Sequence, residues 1–367
     1  MSYNLSLTGA EVEDRLEAAG NHVNYTDPKH GPVIIMRDTL RAAVEGDTGG
    51  RMTVLYDDQG NPNVMHVLPR FRYEDLGFST EFGTGTATAF DLGSGSYRSE
   101  IFLAAYQASD VGGLACALPH QDPWVSVDFD AAKAACTGKG SGWHLMTAHE
   151  WAAVALWCMS NGFEPRGNTN HGRAHDATHE VGTRQDGDTY APGDGSGVGS
   201  ILTGSGPAAW RHDGTVSGIA DLVGNVWEWS DLMKLVDGEI FAPSANQIGL
   251  TEGSWPTTGK YARGDINAGD VTLAESGSAA ESTVSTPWGS THLDAGYTSS
   301  QLLRRLLVEP AGITPQGRFY GRDFGERLPI RGGNRSGGGV AGLAALDVYP
   351  GRGSANSGIG FRPAFAI

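Results

Sequence analysis

The sequence predicts a loop-rich α+β fold, and three observations support this. Its extended segments are short and separated by Gly- and Ser-rich turns, which is typical of small mixed sheets. Only a few segments combine an N-terminal capping residue with a helical apolar pattern. Glycine accounts for 54 of 367 residues, about twice its usual ~7% share. The glycines follow no three-residue period, which excludes a collagen-like chain and indicates many turns.

Residues 1–62 are predicted to form a small N-terminal module for attachment or oligomerisation, and residues 63–367 the main domain. Thr8 and Glu11 form a capping box that predicts a short helix over the residues that follow. Extended segments are then predicted at residues 33–36 and 52–56.

Two helices of the main domain are predicted from their sequence patterns. One covers residues 128–136, and the other covers residues 148–159 after a capping box of Thr147 and Glu150. Strands are predicted at residues 64–73, 99–106, 341–348 and 360–365. Residues 167–206 have little apolar content and are predicted to be loop. Residues 235–325 have the polar composition of an insertion, with one helix at residues 299–308.

Charge and cysteine content exclude several classes of protein. The chain carries 26 basic and 42 acidic residues, a net charge of −16, so binding to nucleic acid or to anionic membranes is not expected. The first 20 residues lack the pattern of a signal peptide, and the longest apolar window, residues 151–159, is too short to span a bilayer. We therefore expect synthesis in the cytoplasm and no membrane insertion. Three cysteines without CxxC spacing predict neither a disulfide framework nor a zinc site.

Common catalytic signatures are absent from the sequence: there is no GxSxG, GxxxxGK[ST], GxGxxG after a strand or HExxH. One histidine spacing remains of interest. His171, His175 and His179 would share one face of a helix and could bind a metal. Their surroundings are rich in turn residues, which favours a solvated loop instead.

The C-terminal segment, RGGNRSGGGVAGLAALDVYPGRGSANSGIGFRPAF, contains many small residues that cannot fill a core. Glycine and serine permit unusual backbone angles there. From the residues alone, a flexible surface loop and a binding surface on a fixed frame are both compatible with this pattern. Upstream of it, Trp227 and Trp229 alternate as on a strand, so both side chains are predicted to face one side.

Four ordered motifs resemble the formylglycine-generating-enzyme branch of the C-type lectin fold. They are the predicted helical segment HLMTAHEWAAVALW at residues 144–157, GIADLVGNVWEW at residues 218–229, RGG at residues 331–333 and GFR at residues 360–362. The resemblance covers about residues 64–367 and implies a C-type-lectin-like fold. The oxidases of that branch use cysteines after the RGG segment, whereas this chain has none after Cys158. Its iron-dependent members need a histidine-rich helical domain, but residues 1–62 contain only His22 and His30.

A closer resemblance is to the variable proteins of diversity-generating retroelements, which use this fold as a binding scaffold. The constant residues of their C-terminal segment, here called the frame, are similar to residues 331–333, 341–343, 345–346 and 359–362 of this chain. The resemblance implies a variable segment at about residues 331–362. The variable, ligand-binding positions of this segment are here called slots. They are Asn334, Arg335, Ser336, Gly337, Val340, Ala344, Asp347, Tyr349, Ser354, Asn356 and Ser357. Tyr349 and either Arg335 or Arg352 are the expected anchors, since aromatic and arginine side chains dominate many interfaces.

The resemblance implies a non-catalytic receptor-binding protein, with a hypervariable site diversified by a retroelement, at a bacteriophage tail tip or on a bacterial cell surface. The expected partner is a host-cell surface protein or glycan, and the expected assembly is a homo-oligomer such as a trimer. No cofactor is expected, although the family admits a structural calcium ion near residues 224–229. Two alternatives stay open: a divergent metal-dependent oxidase that uses the histidine cluster, and a structural tail or surface lectin that is not diversified.

Overall fold

The computed structural model describes residues 22–27, 31–36, 38–78, 80–264 and 269–367. The chain divides into two compact units between Val54 and Leu55, within a strand and eight residues before the expected boundary. No helix in the described residues is long and apolar enough to cross a membrane.

The described part of the smaller unit contains a hairpin and a helix. Strands β1 (His22–Asp27) and β2 (Gly31–Met36) pair antiparallel. Helix α1 (Thr39–Thr48) begins after Asp38, whose carboxylate accepts from the backbone N–H of Arg41, and ends at Gly49 in the left-handed conformation. Strand β3 (Met52–Tyr56) spans the boundary between the units. The helix predicted after Thr8 lies outside the described residues.

The larger unit is a mixed helix-and-sheet structure. Its helices are α2 (Phe129–Thr137), α3 (Ala148–Ser160) and α4 (Gln301–Arg305). Its strands are β4 (Pro62–Pro69), β5 (Glu100–Ala104), β6 (Ser109–Val111), β7 (Leu114–Cys116), β8 (Trp143–Leu145), β9 (Trp227–Trp229), β10 (Lys234–Val236), β11 (Glu239–Phe241), β12 (Thr257–Gly264), β13 (Val271–Ala274), β14 (Thr283–Pro287), β15 (His292–Leu293), β16 (Arg318–Arg322), β17 (Glu326–Arg327), β18 (Ile330–Arg331), β19 (Leu346–Asp347), β20 (Ile359–Gly360) and β21 (Pro363–Phe365).

The described strands form three larger sheets and the hairpin β6-β7. One sheet contains the order β4-β5-β21-β8, a second has the order β15-β13-β12-β11-β10-β17, and the third has the order β14-β16-β19-β18-β9-β20. In the third sheet, β18 and β20 of the C-terminal segment flank β9, and β19 pairs with the far side of β18. The predicted α+β class is confirmed, and the Trp227–Trp229 segment is a strand as predicted.

Helix α3 forms the centre of the core. The predicted capping box is present, with Thr147 accepting from the backbone N–H of Glu150 and Glu150 accepting in return. Almost every side chain of the helix is buried. Trp151 donates from Nε1 to the carbonyl of Leu343 at 3.0 Å, so the core helix is bonded directly to the C-terminal segment.

Two sequence expectations need correction here. The helix expected at residues 299–308 covers only Gln301–Arg305, because Leu307 adopts a φ of 52° and the guanidinium of Arg331 binds the carbonyls of Leu306 and Leu307. The strand expected at residues 341–348 is reduced to Leu346–Asp347.

The segment expected as a polar insertion with one helix contains strands β10 to β16 within its described residues. Apolar side chains of this segment such as Ile240 and Leu273 are fully buried, and their burial explains why so polar a segment still forms a sheet. Residues 167–206 are free of helix and strand, as predicted.

Candidate ligand-binding site

The register of the third sheet separates the C-terminal segment into two faces. Strand β19 pairs with β16 and β18, and β18 pairs with β9. Successive side chains of a strand point to opposite faces. One row across the sheet consists of Tyr320, Asp347, Ile330 and Trp229, and the adjacent row on the other face consists of Phe319, Leu346, Arg331 and Glu228.

The face that carries Glu228 is buried inside the protein and is here called the closed face. Arg362 is fully buried and binds the Glu228 carboxylate through two hydrogen bonds of 2.7 and 2.9 Å. Its remaining donors reach the carbonyls of Ala104 and Ala220. Gln107 donates to the same carboxylate at 2.9 Å. This network joins the GFR motif to β9 and to the neighbouring sheet, so it fixes the frame of the C-terminal segment.

Arg331 of the RGG motif is also fully buried. Its guanidinium donates to the carbonyls of Leu306 and Leu307 at 2.7 and 3.2 Å. Burial lowers the pKa of Arg331 to about 9. The arginine therefore anchors the start of the variable segment to the end of helix α4, away from any ligand surface.

The opposite face opens into a cavity of about 340 Å³. Its walls combine slots of the variable segment with residues from other strands. Five predicted slots line it: Asn334, Asp347, Tyr349, Ser354 and Asn356. The other lining residues are Trp227, Arg322, Ile330, Pro350 and Ile359.

Asp347 is the acidic group of this cavity. Its carboxylate accepts from the backbone N–H of Tyr349 at 2.7 Å. Desolvation raises the pKa of Asp347 to about 7, against the lowering effects of that hydrogen bond and of the Arg322 charge. The carboxyl group therefore titrates near neutral pH.

Aromatic rings surround this acidic group. The ring of Tyr320 contacts Trp227 at a centroid distance of 6.2 Å and Tyr349 at 5.6 Å, both edge to face. The phenol of Tyr349 donates to the carbonyl of Val284 at 2.8 Å, which fixes its ring. The guanidinium of Arg322 lies 5.1 Å from the Tyr349 ring centroid. The cavity thus offers aromatic faces, one carboxyl group and one guanidinium.

A second group of slots lies beside the loop of residues 167–206. Arg335 donates to the carbonyl and hydroxyl of Ser357 at 2.7 and 3.1 Å. Its own carbonyl accepts from the backbone N–H of His171, and its N–H donates to the carbonyl of Asn225. Burial lowers the pKa of Arg335. This side chain links the two variable loops instead of projecting freely.

The remaining slots differ in exposure. Ser336 is exposed, and Gly337 and Val340 are half-buried on a turn. Ala344, in contrast, is fully buried in the core cluster that contains helix α3. Its side chain is therefore not accessible to a ligand in this structure, unlike those of the other slots.

Arg352 does not serve as a free anchor. Its guanidinium forms ion pairs with Asp130, Glu252 and Glu326. Hydrogen bonds to these carboxylates raise its pKa further above the usual arginine value. The side chain holds the variable segment against helix α2 and the second sheet.

The three histidines do not form the geometry that a helix would give. No helix occurs between residues 161 and 206, and no group of three His, Cys, Asp or Glu side chains in the described residues could hold a metal ion. His175 shares a 2.9 Å hydrogen bond with the Thr169 hydroxyl. The three cysteines are buried free thiols, and burial raises the pKa of each.

In residues 224–229, near which the resemblance admits a calcium ion, the side-chain oxygens are engaged within the protein. Both carboxylate oxygens of Glu228 are engaged by Arg362, and the Asn225 side-chain oxygen accepts from the Ile201 N–H. The sequence motif thus marks a structural network here.

Sequence reasoning missed two functional candidates, Arg322 and Tyr320, because they lie in the segment interpreted as an insertion. Their alternation on β16 with buried Phe319 and Gly321 is the signal that could have identified them. Trp227, predicted to share one face of a strand with Trp229, is half-buried and lines the cavity.

Comparisons with known proteins give distant likenesses. No family model matches the chain, and no curated protein sequence matches it. Among solved structures it is similar to PvdO from Pseudomonas aeruginosa, with 13% identity over 86% of this chain and 98% of that chain and a TM-score of 0.35. Treponema denticola variable protein 1 follows with 12% identity, 86% and 98% coverage and a TM-score of 0.32.

The Major Tropism Determinant U1 variant is similar at 12% identity over 86% of this chain and 71% of that chain, with a TM-score of 0.31. These structures belong to the two groups that the sequence motifs resemble: two are variable proteins of diversity-generating retroelements, and PvdO has a formylglycine-generating-enzyme-like fold. Likenesses at these TM-scores carry no conclusion about the function of this chain.

Proposed function

We propose that this chain is a non-catalytic ligand-binding protein with a C-type-lectin-like fold, in which residues 331–362 form a hypervariable receptor-binding site. One observation carries the proposal. Ten of the eleven slots, all but Ala344, are exposed or half-buried. The frame residues between them, such as Arg331, Leu346 and Arg362, are fully buried.

This separation suits a site that changes its side chains. Substitutions at solvent-facing positions usually alter stability by less than ~0.5 kcal/mol. Asp347 is the last residue of β19, and the other slots lie on the two loops that connect β18 with β19 and β19 with β20. The strands are held by the pairings of the third sheet. Many different side chains can therefore occupy the loops without loss of the fold.

The setting that fits best is the tip of a bacteriophage tail, with a host-cell surface protein or glycan as the partner. A homo-oligomer, such as a trimer, would raise the effective concentration of the site and compensate for weak single-site binding. Residues 1–62 are the candidate oligomerisation module. No cofactor is assigned to the site.

Population sequencing of the gene tests the proposal. We expect substitutions to cluster on the codons of the ten accessible slots and to spare the codons of Arg331, Leu346 and Arg362. A near-copy of the segment downstream and a neighbouring reverse-transcriptase gene would identify the source of the variation. A flat substitution profile without such a repeat would overturn diversification and leave a fixed lectin-like module.

A further inference from the structure

We propose that the cavity of the third sheet binds a zwitterionic group, in which an alkylammonium is joined through a few bonds to an oxyanion, as in phosphocholine. The inference rests on the proposed function, because it names the ligand chemistry of the same surface. It is carried by two features of the cavity: aromatic side chains beside a carboxyl group, and an arginine that forms no ion pair within 4.0 Å in the described residues.

The aromatic walls suit the cationic end of such a group. Trp227 and Tyr349 both line the cavity, and the Tyr320 ring contacts each of them edge to face. The faces of aromatic rings carry a partial negative charge. Alkylammonium ions are attracted to such faces, most strongly to tryptophan. Asp347 adds a carboxyl group beside them.

The oxyanion has its own partner in Arg322. This arginine lies on β16, on one side of β19, whereas β9 with Trp227 lies on the other side. Its Nε donates to the Thr283 hydroxyl at 3.2 Å. A planar guanidinium with free donors binds phosphate and carboxylate oxygens well.

The two charges of the cavity act on each other, since the Arg322 charge opposes the raised pKa of Asp347, but they form no direct ion pair. In the part of the chain that the structure describes, neither Arg322 nor Asp347 forms an ion pair with any side chain within 4.0 Å. A purely cationic ligand would meet Arg322 unfavourably, and a purely anionic ligand would meet Asp347 unfavourably. A ligand that carries both charges satisfies both groups.

The cavity also combines constant and variable parts. Trp227, Tyr320 and Arg322 lie outside residues 331–362, whereas Asp347 and Tyr349 are slots. Every variant of the segment would therefore retain the guanidinium and two of the aromatic rings. Changes at the two slots would tune which zwitterion is bound.

Isothermal titration calorimetry of the full chain with four probes tests the inference: phosphocholine, choline, inorganic phosphate and glycine betaine. We expect phosphocholine to bind at least about tenfold more tightly than choline or phosphate alone. Preferred binding of glycine betaine would equally support a zwitterion site and identify carboxylate as the oxyanion. Equal affinity for choline and phosphocholine, or no heat with either zwitterion, would overturn the proposal.

Single substitutions distinguish the group that binds the oxyanion from the group that binds the alkylammonium. Arg322→Gln should reduce phosphocholine affinity to that of choline and leave choline binding unchanged or stronger. Tyr349→Ala should weaken both ligands by about tenfold. Arg72→Gln is the matched control, since Arg72 is exposed and pairs with Glu74. An equal loss of phosphocholine affinity in Arg72→Gln and Arg322→Gln would contradict the assignment.

The pH dependence of choline binding gives an independent readout, because choline keeps its charge across the range. Asp347, Arg322 and Tyr349 are the charged or titratable groups that line the cavity, and Tyr320 and Arg318 of β16 lie within electrostatic reach of Tyr349. With the pKa of Asp347 near 7, choline affinity should rise between pH 6 and pH 8, and Asp347→Asn should remove the rise. An unchanged profile in that variant would exclude Asp347 from the site.

These outcomes are distinguishable from failure of the proposed function. Variation at the slots without zwitterion binding would reject only the ligand chemistry. Zwitterion binding with a flat substitution profile would reject only diversification.

Discussion

The two faces of β18 and β19 have opposite roles, although their residues alternate along the same short strands. On one face, Arg331 and Leu346 are fully buried beside the ion pair of Arg362 and Glu228. On the other, Asp347 opens into the cavity. A shift of one residue along a strand moves a side chain to the other face of the sheet. The face then decides whether that position maintains the fold or contacts a ligand.

The largest loss of stability is expected from disrupting the buried ion pair of the closed face. Arg362→Ala leaves the Glu228 carboxylate buried without its cation, and such a loss destabilises a protein by about 3–5 kcal/mol. Chemical denaturation should show this as a large decrease in the unfolding midpoint. Arg362→Met combined with Glu228→Gln, which removes both charges, should recover much of the loss. If the double variant were as unstable as the single one, the buried charge would not be the cause.

Adjacent positions on β19 provide the next test. Leu346→Ala removes a fully buried side chain from the core cluster and should destabilise the protein by about 2–4 kcal/mol. Asp347→Ala, one residue further, should cost far less because its side chain faces the cavity. Denaturation curves of the two variants, measured in parallel, would show whether the faces differ as the register indicates. Equal losses would contradict the separation.

The pH dependence of stability sharpens the comparison at Asp347. Its pKa is raised from 3.8 to about 7 by burial, so the folded state binds a proton that the unfolded state has released between these values. Stability should therefore fall as pH rises from about 4 to about 7 and then level off. Because the side chain is partly exposed and screened by solvent, we expect Asp347→Asn to gain roughly 1–2 kcal/mol at pH 8. Thermal unfolding at pH 5 and pH 8 measures this, and a gain that is equal at both pH values would contradict the assignment.

Much of the frame was predictable from the sequence, because its signals are local. The capping box of Thr147 and Glu150 defines helix α3, and the spacing of Trp227 and Trp229 defines a strand. The cavity was only half predictable. Its slots on the C-terminal loops followed from the resemblance, whereas Arg322 and Tyr320 reach it through a parallel pairing of β16 with β19. Long-range pairings of this kind leave no local pattern.

Burial was the other property that the sequence did not reveal. Ala344 lies among small residues, like its neighbours, and composition does not distinguish an alanine that fills the core from one on a loop. Arg352 likewise has the composition of an interface anchor, but Asp130, Glu252 and Glu326 come from three distant segments to pair with it. Both differences from the sequence expectation arise from tertiary contacts.

The smallest effect is expected at the slots themselves, and a pair of substitutions tests it. Ser336→Tyr places a large side chain on an exposed position and should change the free energy of unfolding by less than ~0.5 kcal/mol. Ala344→Leu, in the same loop, forces extra atoms into a filled core and should destabilise by about 1–3 kcal/mol. Denaturation midpoints would distinguish them directly. If Ala344→Leu were as well tolerated as Ser336→Tyr, residue 344 would regain its place among the slots, because only an accessible position accepts both small and large side chains.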